Sequence, residues 1–167
     1  MLNRTYDLQN CSVARALEVV GERWSLLIVR DLMLGYRRFD ELQERLGVAR
    51  NVLTARLARL ADEGVVEKRL YQERPARYDY HLTEKGRDLW PVIVGLLSWG
   101  DRYLADGAPS VVLEHRECGG LVNDRRICER CGAELSVRDA IVRPGPGAKQ
   151  GRGRLVPAGR LEAQPGK

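Results

Sequence analysis

Among the 167 residues there are only two histidines and four cysteines. The longest purely apolar run inside an expected helix, "PVIVGLL" from Pro91 to Leu97, is far short of the roughly 20 residues that cross a bilayer. The opening "MLNRTYDLQNCSV" has no apolar core of the kind a secretory signal needs. The chain is therefore expected to be cytoplasmic, with no membrane association. Four cysteines in that compartment point to metal or redox chemistry rather than structural disulfides. No Ser-His-Asp or Cys-His arrangement is suggested. The one glycine-rich stretch, "GPGAKQGRG", follows no strand, so it is no phosphate cradle. An enzyme is not expected.

Basic charge is also scarce where it would matter. The net charge of +5 lies wholly in the segment from Arg143 to Lys167, which has six Lys and Arg against Glu162 alone. The rest is balanced, so overall charge is silent about the folded part. That C-terminal segment, 143–167, holds ten Gly and Pro residues and almost no large apolar side chains, and is expected to be disordered. Such a tail adds at most a weak, salt-sensitive attraction to a polyanion.

What is present is a compact order of elements. Val13 to Val20 has helical apolar spacing and stops at Gly21, and "ERWSLLIVRDLML" is a strongly apolar helix ending at Gly35. "RRFDELQERLG" gives a helix with Phe39, Leu42 and Leu46 inward, and only Val48 and Ala49 separate it from "RNVLTARLARLADEG". That second helix puts Leu53, Leu57 and Leu60 on one face and ends at Gly64. "VVEKRLY" and "YDYHL" form a hairpin, the latter with Tyr78, Tyr80 and Leu82 on one face and His81 toward solvent. Thr83 is expected to cap one long helix running to about Leu104, with Pro91 near its start.

Helix, tight turn, helix and hairpin is the layout of a winged helix-turn-helix. The outer face of the second helix is short or hydrogen-bonding where an ordinary solvated face would be long and charged. Arg50, Asn51 and Thr54 can bond base edges, while Ala55 and Ala58 leave room for a groove or touch a thymine methyl. The free N–H groups at the start of that helix favour phosphate. Arg74 and Arg77 flank Pro75 at the hairpin tip, where a wing reaches DNA backbone or minor groove. Arg37, Arg38 and Arg56 complete the candidate double-stranded DNA contacts. The same layout also serves protein-interaction or RNA-binding adaptors, and that alternative stays open here.

The order of the motifs goes further. Cys11, Gly21 and Trp24, Arg38 to Leu42, Leu53 to Leu57, Pro75 and Arg77, Tyr80 to Gly86, and Trp99-Gly100 follow one another across 90 residues. In this the chain resembles the HxlR-type winged helix-turn-helix transcriptional regulators of bacteria and archaea. Ser12 departs from the pattern, since many members have proline after the cysteine. The resemblance implies a dimeric repressor or activator; it indicates no small-molecule effector and no target. It also makes Cys11 a candidate redox residue, because some relatives use a cysteine here as an oxidant sensor. From the residues alone, Cys11 opens the first helix, whose dipole lowers a thiol pKa, with Arg15 one turn on. The simpler reading is a small residue packed at a dimer contact.

A homodimer is also expected from the last helix. Leu89, Ile93, Leu96, Leu97 and Tyr103 form a stripe for packing on its own domain, while Trp90, Val92, Val94 and Trp99 add apolar surface around the rest. Such a helix must be buried on more than one side.

Beyond it, "HRECGGLVNDRRICERCG" repeats one spacing twice, as His115-x-x-Cys118-Gly and Cys128-x-x-Cys131-Gly. These four make a tetrahedral Cys₃His set, and zinc is the expected structural metal. A reduced, metal-free hairpin is the alternative. The fold class expected is mainly α with a small β-hairpin wing (α+β): a winged helix-turn-helix with a C-terminal zinc-ribbon-like extension. The domains expected are 1–107 for DNA binding and dimerisation, 108–142 for the extension, and 143–167 for the tail.

Overall fold

The computed structural model describes residues 10–104 and 107–148. In chain order the elements are α1 Ser12–Val20, α2 Ser25–Met33, α3 Phe39–Leu46, α4 Arg50–Asp62, β1 Val66–Gln72, β2 Arg77–Leu82, α5 Glu84–Arg87, α6 Trp90–Tyr103, β3 Val111–His115 and β4 Ala140–Pro144. The result is the mixed α+β winged-helix architecture, carrying a Cys/His segment after α6.

The chain divides into two compact units. The first takes in residues up to Leu32 together with Arg37–Gly86. Its core is Ile28, Val29 and Leu32 from α2, Leu42 from α3, the stripe Leu53, Leu57 and Leu60 from α4, and Val65, Val66 and Leu82. Gly47 ends α3 with φ 61°, a left-handed conformation that costs glycine little, which lets α4 begin three residues later. Gly64 ends α4 in the same way: its N–H bonds Ala61 O at 2.9 Å, and the Val65 N–H bonds Leu60 O at 2.9 Å. This double bond pattern satisfies the last carbonyls of the helix and turns the chain into β1.

The wing is an antiparallel pair, Val66 opposite Leu82 and Leu70 opposite Tyr78, with an irregularity between Leu70 and Gln72. The residues entering α3 join its edge, since the Tyr80 N–H bonds Arg37 O at 2.9 Å. Two expectations need correction here. Tyr78 does not share a buried face with Leu82; it is exposed, with the Lys68 ammonium 3.8 Å above its ring. A hairpin tip beyond the helices has nothing to bury an aromatic against, so the alternation loses its meaning there. His81 is half-buried rather than turned to solvent, and burial, followed by the charges of Arg37 and Arg69, holds its pKa below the usual value.

The second unit holds Met33–Tyr36 and the described residues from Arg87 to Ala148. The single long helix expected after Thr83 is two. Thr83 does cap α5, accepting the Gly86 N–H at 3.2 Å. Pro91, however, lies in the first turn of α6, because its missing N–H and ring are tolerated at a helix start and not inside one. The restart also turns the helix. Trp90 and Val94 are buried, whereas Leu96 and Tyr103, expected inward, are 51% and 64% exposed.

After α6, β3 and β4 pair antiparallel, with Val111, Leu113 and His115 sharing the buried face with Ala140 and Val142. The pairing runs through Arg143 and Pro144, past the boundary expected at 142. Gly145 and Gly147 stay with it because their backbones lie against Pro109 and Ala108, where a Cβ would stand 2.2 and 2.4 Å from carbonyl oxygens. Close backbone approach, not lack of structure, is what those glycines serve. The remainder of the basic tail, 149–167, lies outside the described residues.

Candidate nucleic-acid interface and metal centre

Helix α4 is fixed from beneath by its three buried leucines, so its opposite face is set by the 3.6-residue repeat. Arg50, Asn51, Thr54, Ala55 and Ala58 are all exposed on it. No acidic residue occurs from Arg50 to Ala61. The Arg50 guanidinium lies 4.8 Å from the Phe39 ring, which steadies it at the helix start. The Thr54 hydroxyl donates to Arg50 O at 2.9 Å, leaving its oxygen lone pairs outward. No side chain caps the first turn of α4, so its N–H groups keep their capacity for an anion.

The other arginines divide. Arg74 and Arg77 are exposed at the tip of the wing. Arg38 is exposed and stacks over Tyr71 at 5.3 Å, beside the wing rather than on α4. Arg37 is half-buried, and its backbone carbonyl is tied to the hairpin. Arg56 is half-buried and turned to Glu22, 3.0 Å away, so it braces the unit instead of joining the exposed face. Lys68 and Arg69 on β1 add exposed positive charge to the wing and escaped the sequence reading, because a lysine and an arginine in a strand look like ordinary solvent positions.

His115, Cys118, Cys128 and Cys131 come together, their ligand atoms all within 4.8 Å of one another. His115 Nδ1 stands 3.2 Å from Cys118 Sγ and 3.3 Å from Cys131 Sγ, and Cys118 Sγ is 3.4 Å from Cys128 Sγ and 3.8 Å from Cys131 Sγ. A tetrahedral ion with bonds of about 2.3 Å to sulfur and about 2.0 Å to nitrogen spaces its ligands about 3.5–3.8 Å apart. The donor set and its spacing therefore fit a metal ion.

The backbone is built for this convergence. Gly119 and Gly132 have φ of 67° and 75°, and their N–H groups bond His115 O at 2.8 Å and Cys128 O at 2.9 Å, closing both knuckles. Gly120 is a further requirement that the sequence reading missed. A Cβ there would sit 2.5 Å from Cys128 Sγ, and the doubled glycine after Cys118 was the available signal. Burial works against charge on Cys128, but the N–H groups of Cys131 and Arg130 and the neighbouring sulfurs outweigh it and pull its pKa down to about 6. At Cys118 the Gly120 N–H favours the thiolate, yet burial and the sulfurs of Cys128 and Cys131 raise its pKa. A cluster in which Cys128 ionises readily while Cys118 resists is one a cation would relieve.

Cys11 stands apart from these four. It is exposed at the start of α1, and the N–H groups of Ala14 and Val13 hold its thiol below the usual range.

Comparison with known proteins places the chain in a family. The model of the HxlR-like helix-turn-helix family matches residues 19–108. An uncharacterised HTH-type transcriptional regulator of Mycobacterium tuberculosis is 46% identical over 139 residues, 83% of this chain and 88% of that one. A stretch that long must take in residues 29–139, so the likeness includes the Cys/His segment. The crystal structure of PA1607, named as a candidate transcription factor, is 40% identical with a TM-score of 0.63, covering 78% of this chain and 92% of its own. The redox regulator HypR in its oxidised form is 29% identical with a TM-score of 0.53, covering 57% of this chain and 99% of its own. The family and these relatives are regulators, not enzymes. Among the described residues no helix is long and apolar enough to cross a membrane.

Proposed function

Because the chain belongs to the HxlR-like helix-turn-helix family and is a transcriptional regulator of the helix-turn-helix type, we propose that it reads a specific duplex operator with α4 in the major groove. The observation that carries this is the exposed face of α4, slim, free of carboxylates and edged by Arg50 and Asn51. Arg74 and Arg77 on the wing, with Arg38 beside it, supply phosphate or minor-groove contacts. Arg37 and Arg56 position the elements that present those groups.

The two kinds of contact separate by mutation. Asn51→Ala is expected to cost on the order of 1–3 kcal/mol at particular operator bases and to relax specificity there. Arg77→Ala is expected to weaken every duplex alike and to lower the slope of log affinity against log salt by about 0.9 per lost phosphate contact. Gel shifts over a salt series measure both. Tighter binding to single-stranded RNA than to duplex DNA would move the assignment to an RNA adaptor. An Arg77→Ala protein with unchanged affinity and salt slope would remove the wing from it.

The same proposal includes a homodimer on a pseudo-palindromic site, with the recognition helices about 34 Å apart. Val92, Leu96, Trp99 and Tyr103 follow one another at helical spacing on α6, exposed by 44%, 51%, 54% and 64%. The Trp99 and Tyr103 rings pack at a 48° tilt with centroids 5.6 Å apart. Val13 and Leu17 leave a second apolar stripe exposed on α1. Water-exposed apolar faces of this size mark an association surface. Sedimentation at micromolar concentration should show a dimer that Trp99→Glu dissociates by at least about tenfold, the effect of one unpaired buried charge. A monomeric parent protein would end this part of the proposal.

The metal we assign to His115, Cys118, Cys128 and Cys131 is zinc. Thiolate and imidazole ligands in a closed tetrahedral set suit it and leave no open position for catalysis. Its work there is to fold the extension.

A further inference from the structure

Within the second unit, α6 and the β3 region line a half-open pocket of about 200 Å³, with Ser98 and Asn123 among its polar residues. Val94 and Leu97 of α6 and Val111 and Leu113 of β3 supply apolar walls. Asp101 and Glu129 also line it. An apolar cavity of about 150 Å³ holds a benzene ring, so this one takes a ring with a short substituent.

The two carboxylates decide what kind of ligand fits. Asp101 is half-buried and Glu129 exposed at the rim, and neither side chain has a hydrogen bond or ion pair among the described residues. The cation nearest in sequence, Arg102, is engaged 3.7 Å from Asp124 instead. Burial pushes the Asp101 carboxyl above its ordinary range, the mark of a charge that has lost water without gaining a partner. An anion would be repelled by both groups. A neutral molecule would deepen the desolvation of Asp101 and return at most a neutral hydrogen bond, weaker than one from a cation. A cation with an apolar body satisfies walls and carboxylates together.

We propose that this cavity binds a small organic cation, a ring or short alkyl body carrying one ammonium group, with the body between α6 and β3 and the ammonium at Asp101 and Glu129. The site involves no residue of α4, so it stands or falls separately from the operator reading; Glu129 lies in the Cys128–Cys131 knuckle, so the metal-loaded protein is the one to test.

Benzylamine is the probe, added to the full-length, metal-loaded protein with Leu and Val methyl groups labelled for NMR. Saturable shifts are expected at Val94, Leu97, Val111 and Leu113. Benzyl alcohol and benzoate, the uncharged and anionic counterparts, should bind at least about tenfold more weakly, the scale of one charge-assisted hydrogen bond. Asp101→Asn should reduce benzylamine to the level of benzyl alcohol while the remaining methyl spectrum is unchanged. Glu129→Gln, at an exposed position that carries no folding risk, should lower the affinity by a smaller factor. Shifts confined to other methyl groups would overturn the proposal. So would equal binding of the amine and the alcohol, or full affinity in both variants.

Discussion

Protein purified without chelator is expected to carry about one zinc per chain, and Cys128→Ser to abolish most of it and unfold the extension. The size of the effect follows from what the cluster replaces. Segment 111–144 has two strands of five residues and a few isolated bridges, with Val111, Leu113, Leu135, Val137, Ala140 and Val142 as its buried aliphatic groups. So small a core does not hold a chain by itself. Structural zinc contributes about 10–16 kcal/mol to small domains of this kind, and losing one of four ligands forfeits much of that. Cys128 is only 1% exposed, so a serine hydroxyl there would also be buried facing three former ligands. Elemental analysis reads the metal, and hydrogen exchange at Leu113 and Cys128 amides reads the fold. The helix-turn-helix unit, with its own core on α2, α3 and α4, should keep its protection. An extension that stays protected in protein with less than about a tenth of a zinc per chain would refute the assignment.

The helix-turn-helix was legible because local signals and packing agree there. The leucine spacing of α4, the left-handed glycines at 47 and 64 and the two-residue turn each dictate one conformation, and the buried Leu53, Leu57 and Leu60 accept it. Cys/His spacing was legible for a similar reason: ligand type and interval fix a geometry before any neighbour is known. What was not legible depended on neighbours. Which face of α6 is buried follows from the restart at Pro91 and from what packs on Trp90 and Val94, and an all-round apolar helix does not announce either.

The tail boundary shows the same limit in another form. Gly and Pro richness from residue 143 reads as disorder by composition, yet Arg143 and Pro144 complete β4, and Arg143 pairs with Glu114 at 3.1 Å. A glycine required for close backbone contact and one that merely loosens the chain are identical in sequence. Arg56 is a case within the candidate site. Its position on the flank of α4 suits either DNA or Glu22, and only the fold shows it 3.0 Å from the latter.

Asp31→Ala should be among the most damaging polar substitutions in the helix-turn-helix unit. Its carboxylate is fully buried on α2, the one acid within that apolar helix. The Arg30 Nε donates to Oδ1 at 2.9 Å and the Arg45 Nε to Oδ2 at 3.3 Å, so the group ties α3 to α2. Neither oxygen is left without a donor, which is what allows a charge to remain there. Removing one partner of a buried ion pair typically costs about 3–5 kcal/mol, because the rest is left desolvated and unmatched. The arginine side chains are 29% and 15% exposed and can swing partly into water, which places the expected loss near the lower end, about 3 kcal/mol. Asp31→Asn keeps the shape but gives up the charge and leaves a buried amide N–H₂ facing a guanidinium, so it should recover only part of the loss. Urea unfolding measures both, and a lower midpoint at constant slope would assign the loss to the native state. A cost below about 1 kcal/mol for Asp31→Ala would mean that the arginines find water at no penalty and that apolar burial alone holds α2 and α3 in the core.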